Sequence, residues 1–192
     1  MVRIVGCIIF VGFLAWGWMK VEPYFTSKMQ IAHDAPVKGL SVAFSDEDLL
    51  SRFEKHQVFS RNDWEAGEQR DGTPFYTSDK QHATHYSTWR ITKDDVGVMI
   101  VTPGNMDDLE FEFALAMTDC HTFAKVMMDG NSDSLLRDVK TVMVDTFEKI
   151  NYKKMEKDVR RDGIVGGQSF HIFFGKSGGM PLFSCFMNRK QE

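Results

Sequence analysis

Apolar residues open this chain in one unbroken block and afterwards recur in shorter, patterned runs. Residues 4–19 carry no charge, with Arg3 before them and Lys20 after. The stretch 2–21 reaches the roughly 20 mostly apolar residues that span a bilayer once Arg3 and Lys20 sit at the two interfaces. Ile4, Phe10, Phe13 and Leu14 supply apolar surface, and Trp16 and Trp18 suit an interfacial aromatic belt. The positive start, the apolar run and Ala15-Trp16-Gly17 also meet the outline of a secretory signal cleaved after Gly17. Bulky Trp16, Trp18 and Met19 around that bond favour the uncleaved signal anchor. Positive charge is retained in the cytoplasm, so the chain beyond Glu22 is expected outside it. Ile4-Val5-Gly6-Cys7 has the four letters of a lipobox but fails on position, because the apolar core lies after Cys7.

Beyond the leader, residues 22–38 mix polarity around Pro23 and Pro36 with no lasting period and read as a juxtamembrane stalk. Residues 39–44 alternate Leu40, Val42 and Phe44 with Ser41 and Ala43, which predicts a first strand. Ser45 suits an N-cap, Asp46, Glu47 and Asp48 suit the positive end of a helix dipole, and Phe44 with Leu49 has the spacing of a hydrophobic staple. A short helix to Lys55 would bury Leu49, Leu50 and Phe53. Residues 57–84 are polar, broken by Gly67, Gly72 and Pro74, and predict loops with at most one short strand. Residues 85–92 and 96–102, rich in β-branched and aromatic side chains, predict a hairpin around Lys93-Asp94-Asp95.

Residues 109–117 show the clearest alternation in the chain. Leu109, Phe111, Phe113, Leu115 and Met117 oppose Glu110, Glu112, Ala114 and Ala116, which predicts a strand with one buried face. Residues 119–128 read as a further strand, although Phe123, Val126 and Met127 also fit a helical stripe. Gly130-Asn131-Ser132-Asp133 opens a second helix, in which Leu135, Leu136, Val139, Val142, Met143, Phe147 and Ile150 repeat at three and four. Residues 169–174 and 182–187 predict a final, strongly aromatic hairpin across 175–181. The order predicts an α+β domain over 39–192: an antiparallel β-sheet of about five to seven strands with two packed helices, preceded by an N-terminal membrane-spanning or signal helix.

Charge and cysteine content narrow the function classes. The chain has 23 Lys and Arg against 27 Asp and Glu, and loss of residues 1–17 would remove only Arg3, so the body is acidic. Nucleic acid, which needs a basic surface, is not an expected partner. Of the three cysteines, Cys7 lies in the leader, leaving Cys120 and Cys185 free to pair in an oxidising compartment.

Candidate chemistry is sparse. Gly175-Lys176-Ser177 resembles the end of a P-loop, but Phe170 stands where a glycine is required and no helix follows before Pro181. His82 and His85 stand three apart, and Asp119, Cys120 and His121 lie together, so a metal could collect two or three of them. Neither spacing is a familiar ligand pattern, and scattered surface histidines are the plainer reading. Ser169 and His171 would share a face of a strand, and Cys185 with His171 on paired strands is a conceivable nucleophile and base, but no G-x-S-x-G elbow is present. Asp107, Asp108, Glu110 and Glu112 could form an acidic docking surface, against the plainer reading of a solvated strand face. Lys153, Lys154, Lys157, Arg160 and Arg161 form the one basic patch, or else a charged helix end.

No catalytic residues, cofactor or metal are assigned from these observations. The expectation is a non-enzymatic domain of a bacterial cell envelope, tethered to the inner membrane and facing the periplasm, or periplasmic if the signal is cleaved. It would bind another envelope protein, as an immunity protein, an inhibitor or a secretion-assembly subunit does. A small envelope hydrolase and a carrier of lipid or small apolar ligand are the alternatives.

Overall fold

The computed structural model describes residues 44–103, 109–130, 133–148 and 158–189. The chain divides into two units, Met1–Pro36 and Val37–Glu192, and all described residues belong to the second. The leader, the stalk and residues 39–43 of the expected first strand lie outside the described residues, and Phe44 is not in a strand. No helix among the described residues is long and apolar enough to cross a membrane.

Helix α1 spans Asp46–Lys55. Its start follows from local chemistry: the Ser45 hydroxyl accepts from the Asp48 N–H at 3.1 Å while the Asp48 carboxylate accepts from the Ser45 N–H at 3.1 Å, a closed capping box. Residues 57–84 hold more order than their polarity predicts. A 3₁₀ turn at Arg61–Asp63 leads into β1 (Glu65–Glu68) and β2 (Pro74–Gln81), two strands where one at most was expected. Tertiary pairing overrides weak propensity here, because β2 is held along its length by the aromatic and β-branched β3 (Tyr86–Ile91). Strand β4 (Asp95–Val101) completes the expected central hairpin.

The largest departure falls on residues 109–128. The two predicted strands are one helix, α2 (Glu110–Met128). Between Leu109 and Met117 there is no β-branched residue, and Glu, Ala, Leu and Met are strong helix formers, so backbone propensity outweighs the alternation. The helix buries Ala116, Asp119, Cys120, Phe123, Ala124 and Met127, while Phe111, one of the residues of the alternating face, is 59% exposed. Helix α3 (Asp133–Glu148) follows, so the described residues hold three helices where the sequence of the body predicted two. Strands β5 (Val159–Val165), β6 (Gln168–Ser177) and β7 (Met180–Asn188) close the chain. Gly178 and Gly179 have φ of 59° and 88°, and two left-handed residues between paired Ser177 and Met180 make the tight hairpin turn suited to strand twist.

The seven strands of the described residues join one antiparallel sheet in the order β1-β2-β3-β4-β7-β6-β5. Helix α2 packs on β4 and β7, α3 on β5 and β6, and α1 on α2. One core cluster joins Leu49 and Phe53 of α1 and Phe123 of α2 with Trp89, Val98, Phe170, Phe174, Cys185 and Met187 from alternate strand positions. The described phenylalanines are thus largely core packing. Met99, Leu182 and Phe186, on the opposite sheet face, are also buried, so the central strands read as continuous apolar runs. Gly97 makes this close packing possible: a Cβ there would stand 2.6 Å from Cβ of its cross-strand partner Phe186.

Candidate functional site

Two buried clusters of titratable side chains emerge, one on each face of the sheet. The first begins at the β2–β3 turn. His82 donates its backbone N–H to the His85 carbonyl at 2.9 Å, so the two histidines are cross-strand neighbours flanking a two-residue turn. Strand alternation puts both on the face that carries Ser87 and Trp89, under α2. Their rings stack with centroids 4.0 Å apart. His85 Nε2 lies 3.0 Å from Asp119 Oδ2 on α2, and His82 Nε2 lies 3.7 Å from the same oxygen. On the far side His85 Nδ1 meets Thr84 Oγ1 at 3.2 Å, and His82 Nε2 lies 3.3 Å from Ser87 Oγ, which also accepts from the Trp89 indole at 3.1 Å.

His85 and Asp119 are buried, while His82 keeps about a quarter of its side chain exposed. These histidines are not scattered surface residues. Burial holds the His82 imidazole below its ordinary value, with His85 acting the same way and Asp119 opposing. Cys120 forms a disulfide with Cys185 of β7, Cα to Cα 5.6 Å, so the residue beside Asp119 is tied to the sheet. His121 stands about 200° round the helix from Asp119 at 100° per residue and is not part of the cluster.

The second cluster lies at the sheet's other face and end. Asp162 of β5 and His171 of β6 are directly paired, and His171 Nδ1 lies 2.5 Å from Asp162 Oδ1. Arg160 Nε donates to the same oxygen at 3.0 Å. Burial pushes Asp162 up, but its bonds to His171 and Arg160 prevail and its carboxyl lies below the usual range. Burial likewise depresses His171, against the pull of Asp162. His171 Nε2 is buried with no hydrogen-bond partner among the described residues. An acid and an oriented imidazole are therefore present, but no hydroxyl or thiol bonds to that nitrogen. Ser169 does share this face, whereas Cys185 faces the helices and is bonded to Cys120, which rules out a Cys185–His171 pair.

No protein-family model, curated protein or solved structure matches this chain.

The remaining sequence candidates are dispersed. Glu110 and Glu112 occupy the first turn of α2 rather than a strand face, and Glu112 is buried, while Asp107 and Asp108 lie outside the described residues. Glu110 and Glu112 therefore do not belong to a solvated strand surface. Lys153, Lys154 and Lys157 also lie outside the described residues. Arg160 and Arg161 belong to strand β5, not to a helix end, and point to opposite faces. A groove of about 290 Å³ runs between α3 and β5, lined by Asp138, Thr141, Asp145, Arg161, Asp162 and Ile164. The charge pattern of α3 carries its acidic wall in sequence, but only pairing order reveals that β5 is a sheet edge.

Proposed function

We propose that this protein is a membrane-tethered or periplasmic binding domain of the cell envelope, whose partner is another protein docking along β5. The observation that carries the reading is the form of that edge. Among the described residues, strand β5 pairs with β6 alone, so its outer row of backbone N–H and C=O groups faces away from that sheet. The opposite edge, β1, is four residues long with a glutamate at each end, the usual blunting of an edge. β5 runs seven residues, with Ile164 exposed beside the groove. An extended segment could add there as an eighth strand, its side chains meeting Asp138 and Asp145. Asp138 and Asp145 against Arg161 favour a basic segment, since the Asp162 carboxylate is held by His171 and Arg160 on the other face.

The Cys120–Cys185 bridge supports placement outside the cytoplasm, because such bonds persist in oxidising compartments. Strand addition at such an edge is a recognition mode open to an immunity, inhibitor or assembly role. The Asp162–His171 pair favours a second reading, a small hydrolase, in which His171 Nε2 would serve as base to a nucleophile brought by substrate or water. The core placement of the phenylalanines gives the carrier reading no support.

A photo-crosslinking residue at Ile164 in the full-length protein, expressed in envelope-containing cells, tests the leading reading. One adduct of defined mass is expected from Ile164 and none from Lys93, with the adduct lost when Arg161→Pro blocks strand addition. Equal adducts from both positions, or none from either, would discard the edge as a docking site.

A further inference from the structure

We propose that His82, His85 and Asp119 bind one divalent transition-metal ion of the zinc class, leaving a fourth coordination position for water. Three donor atoms on two separate elements lie close together: each residue offers one ligand atom, and these lie within 4.8 Å of one another. Zinc holds nitrogen and carboxylate oxygen at about 2.0–2.2 Å in a tetrahedron, which sets donor atoms about 3.3 Å apart. The two distances to Asp119 Oδ2, 3.0 Å from His85 and 3.7 Å from His82, bracket that separation.

The surroundings favour metal over a purely structural ion pair. Thr84 Oγ1 can accept from His85 Nδ1, and in that tautomer the Nε2 lone pair turns toward Asp119. Lone pairs of imidazole and carboxylate then oppose one another inside a buried site, and a cation between them removes the repulsion. One proton can bridge His85 and Asp119, but it leaves the His82 nitrogen 3.7 Å from the same oxygen, with the Ser87 hydroxyl at 3.3 Å as its hydrogen-bond partner. A metal ion engages all three. The parallel rings must splay for both nitrogens to aim at one ion, and His82, the more exposed, is the ring free to tilt. Asp119 cannot drift, because the neighbouring Cys120 is stapled to β7. With two imidazoles and one carboxylate the set is the three-ligand type that leaves a position open. Solvent reaches it on the His82 side. This site is independent of the β5 edge, so either can fail without the other.

The test uses full-length protein, stripped with chelator and titrated with zinc alone by calorimetry, and with cobalt for visible d–d bands. One equivalent is expected to bind, and His82→Ala should weaken it by more than about 100-fold, beyond the effect of losing an outer-shell partner. Trp89 offers an internal reporter: metal capture at His82 Nε2 takes that nitrogen from Ser87, the hydroxyl that holds the indole, so zinc should shift Trp89 emission in the parent and not in His82→Ala. Asp119→Asn is the second variant. Its failure to fold leaves the answer with His82→Ala, where substitution falls on a partly exposed ring. His56→Ala and His121→Ala should bind as the parent does. Absence of saturable binding, or binding unchanged in His82→Ala, overturns the site.

Discussion

Reducing the Cys120–Cys185 bridge should destabilise the body of this protein through its unfolded chain more than through its native contacts. Both sulfurs are fully buried on the helix-facing side of the sheet, so the reduced thiols remain packed where they are. The unfolded chain, by contrast, loses a cross-link that spans 65 residues. In the chain-entropy treatment a loop of that length corresponds to about 4 kcal/mol at 25 °C. That is about a thousandfold in the folding equilibrium and a large share of the stability of an ordinary domain. The assay is urea unfolding of the full-length protein in detergent, followed by Trp fluorescence, with and without reductant. The midpoint should fall and the slope rise on reduction, since the released chain exposes more surface. A Cys120→Ala, Cys185→Ala double variant should behave like the reduced parent, with a further small loss from the missing sulfur volume. Equal midpoints with and without reductant would refute the reasoning. Thiols found free to alkylation in freshly lysed cells would remove the support the bridge gives to export.

Stability should also fall with acid. His171 is depressed below the ordinary imidazole value of about 6.5, so the unfolded chain takes up a proton first as pH drops. Its contribution is complete above pH 6.5 and is lost as pH falls toward its folded value, and Asp162, also depressed, extends the loss below about pH 4. His171→Gln should flatten the slope of stability against pH below 6.5, read by urea midpoints across that range. Arg189→Ala should cost about 2 to 3 kcal/mol by thermal or urea unfolding. Its guanidinium donates to Asp46 Oδ1 and the Phe44 carbonyl, each at 2.7 Å, and to the Thr92 carbonyl, tying the end of β7 to the start of α1. Gly97→Ala should cost about 2 kcal/mol, because the added Cβ meets the Cys185 carbonyl at 2.7 Å and the backbone cannot turn aside. Gly163→Ala should cost less, since it meets the Val142 side chain, but it should loosen α3 from β5 and weaken crosslinking at Ile164.

Sequence by itself determined the parts of this protein that rest on short-range chemistry. The Ser45 capping box, the stripe of α3, the β3–β4 hairpin and the β6–β7 hairpin all follow from residues within a few positions of one another. Where two local signals disagreed, periodicity was the weaker: residues 109–117 alternate like a strand, yet their composition is that of a helix and α2 forms. Sheet order needed the whole fold, because β7 lies between β6, its neighbour in the chain, and β4, which is far from it in sequence. The same holds for both clusters. His82 and His85 are near neighbours in the chain, and a tight turn accounts for their stacking. Asp119 joins them because α2 crosses the sheet at that turn, 34 residues from His85. Asp162 and His171 meet through strand register, which a shift of one residue would undo by sending the side chains to opposite faces. Chemistry that depends on contacts between distant segments is fixed by packing, and packing is the sum of many small terms that no local window contains.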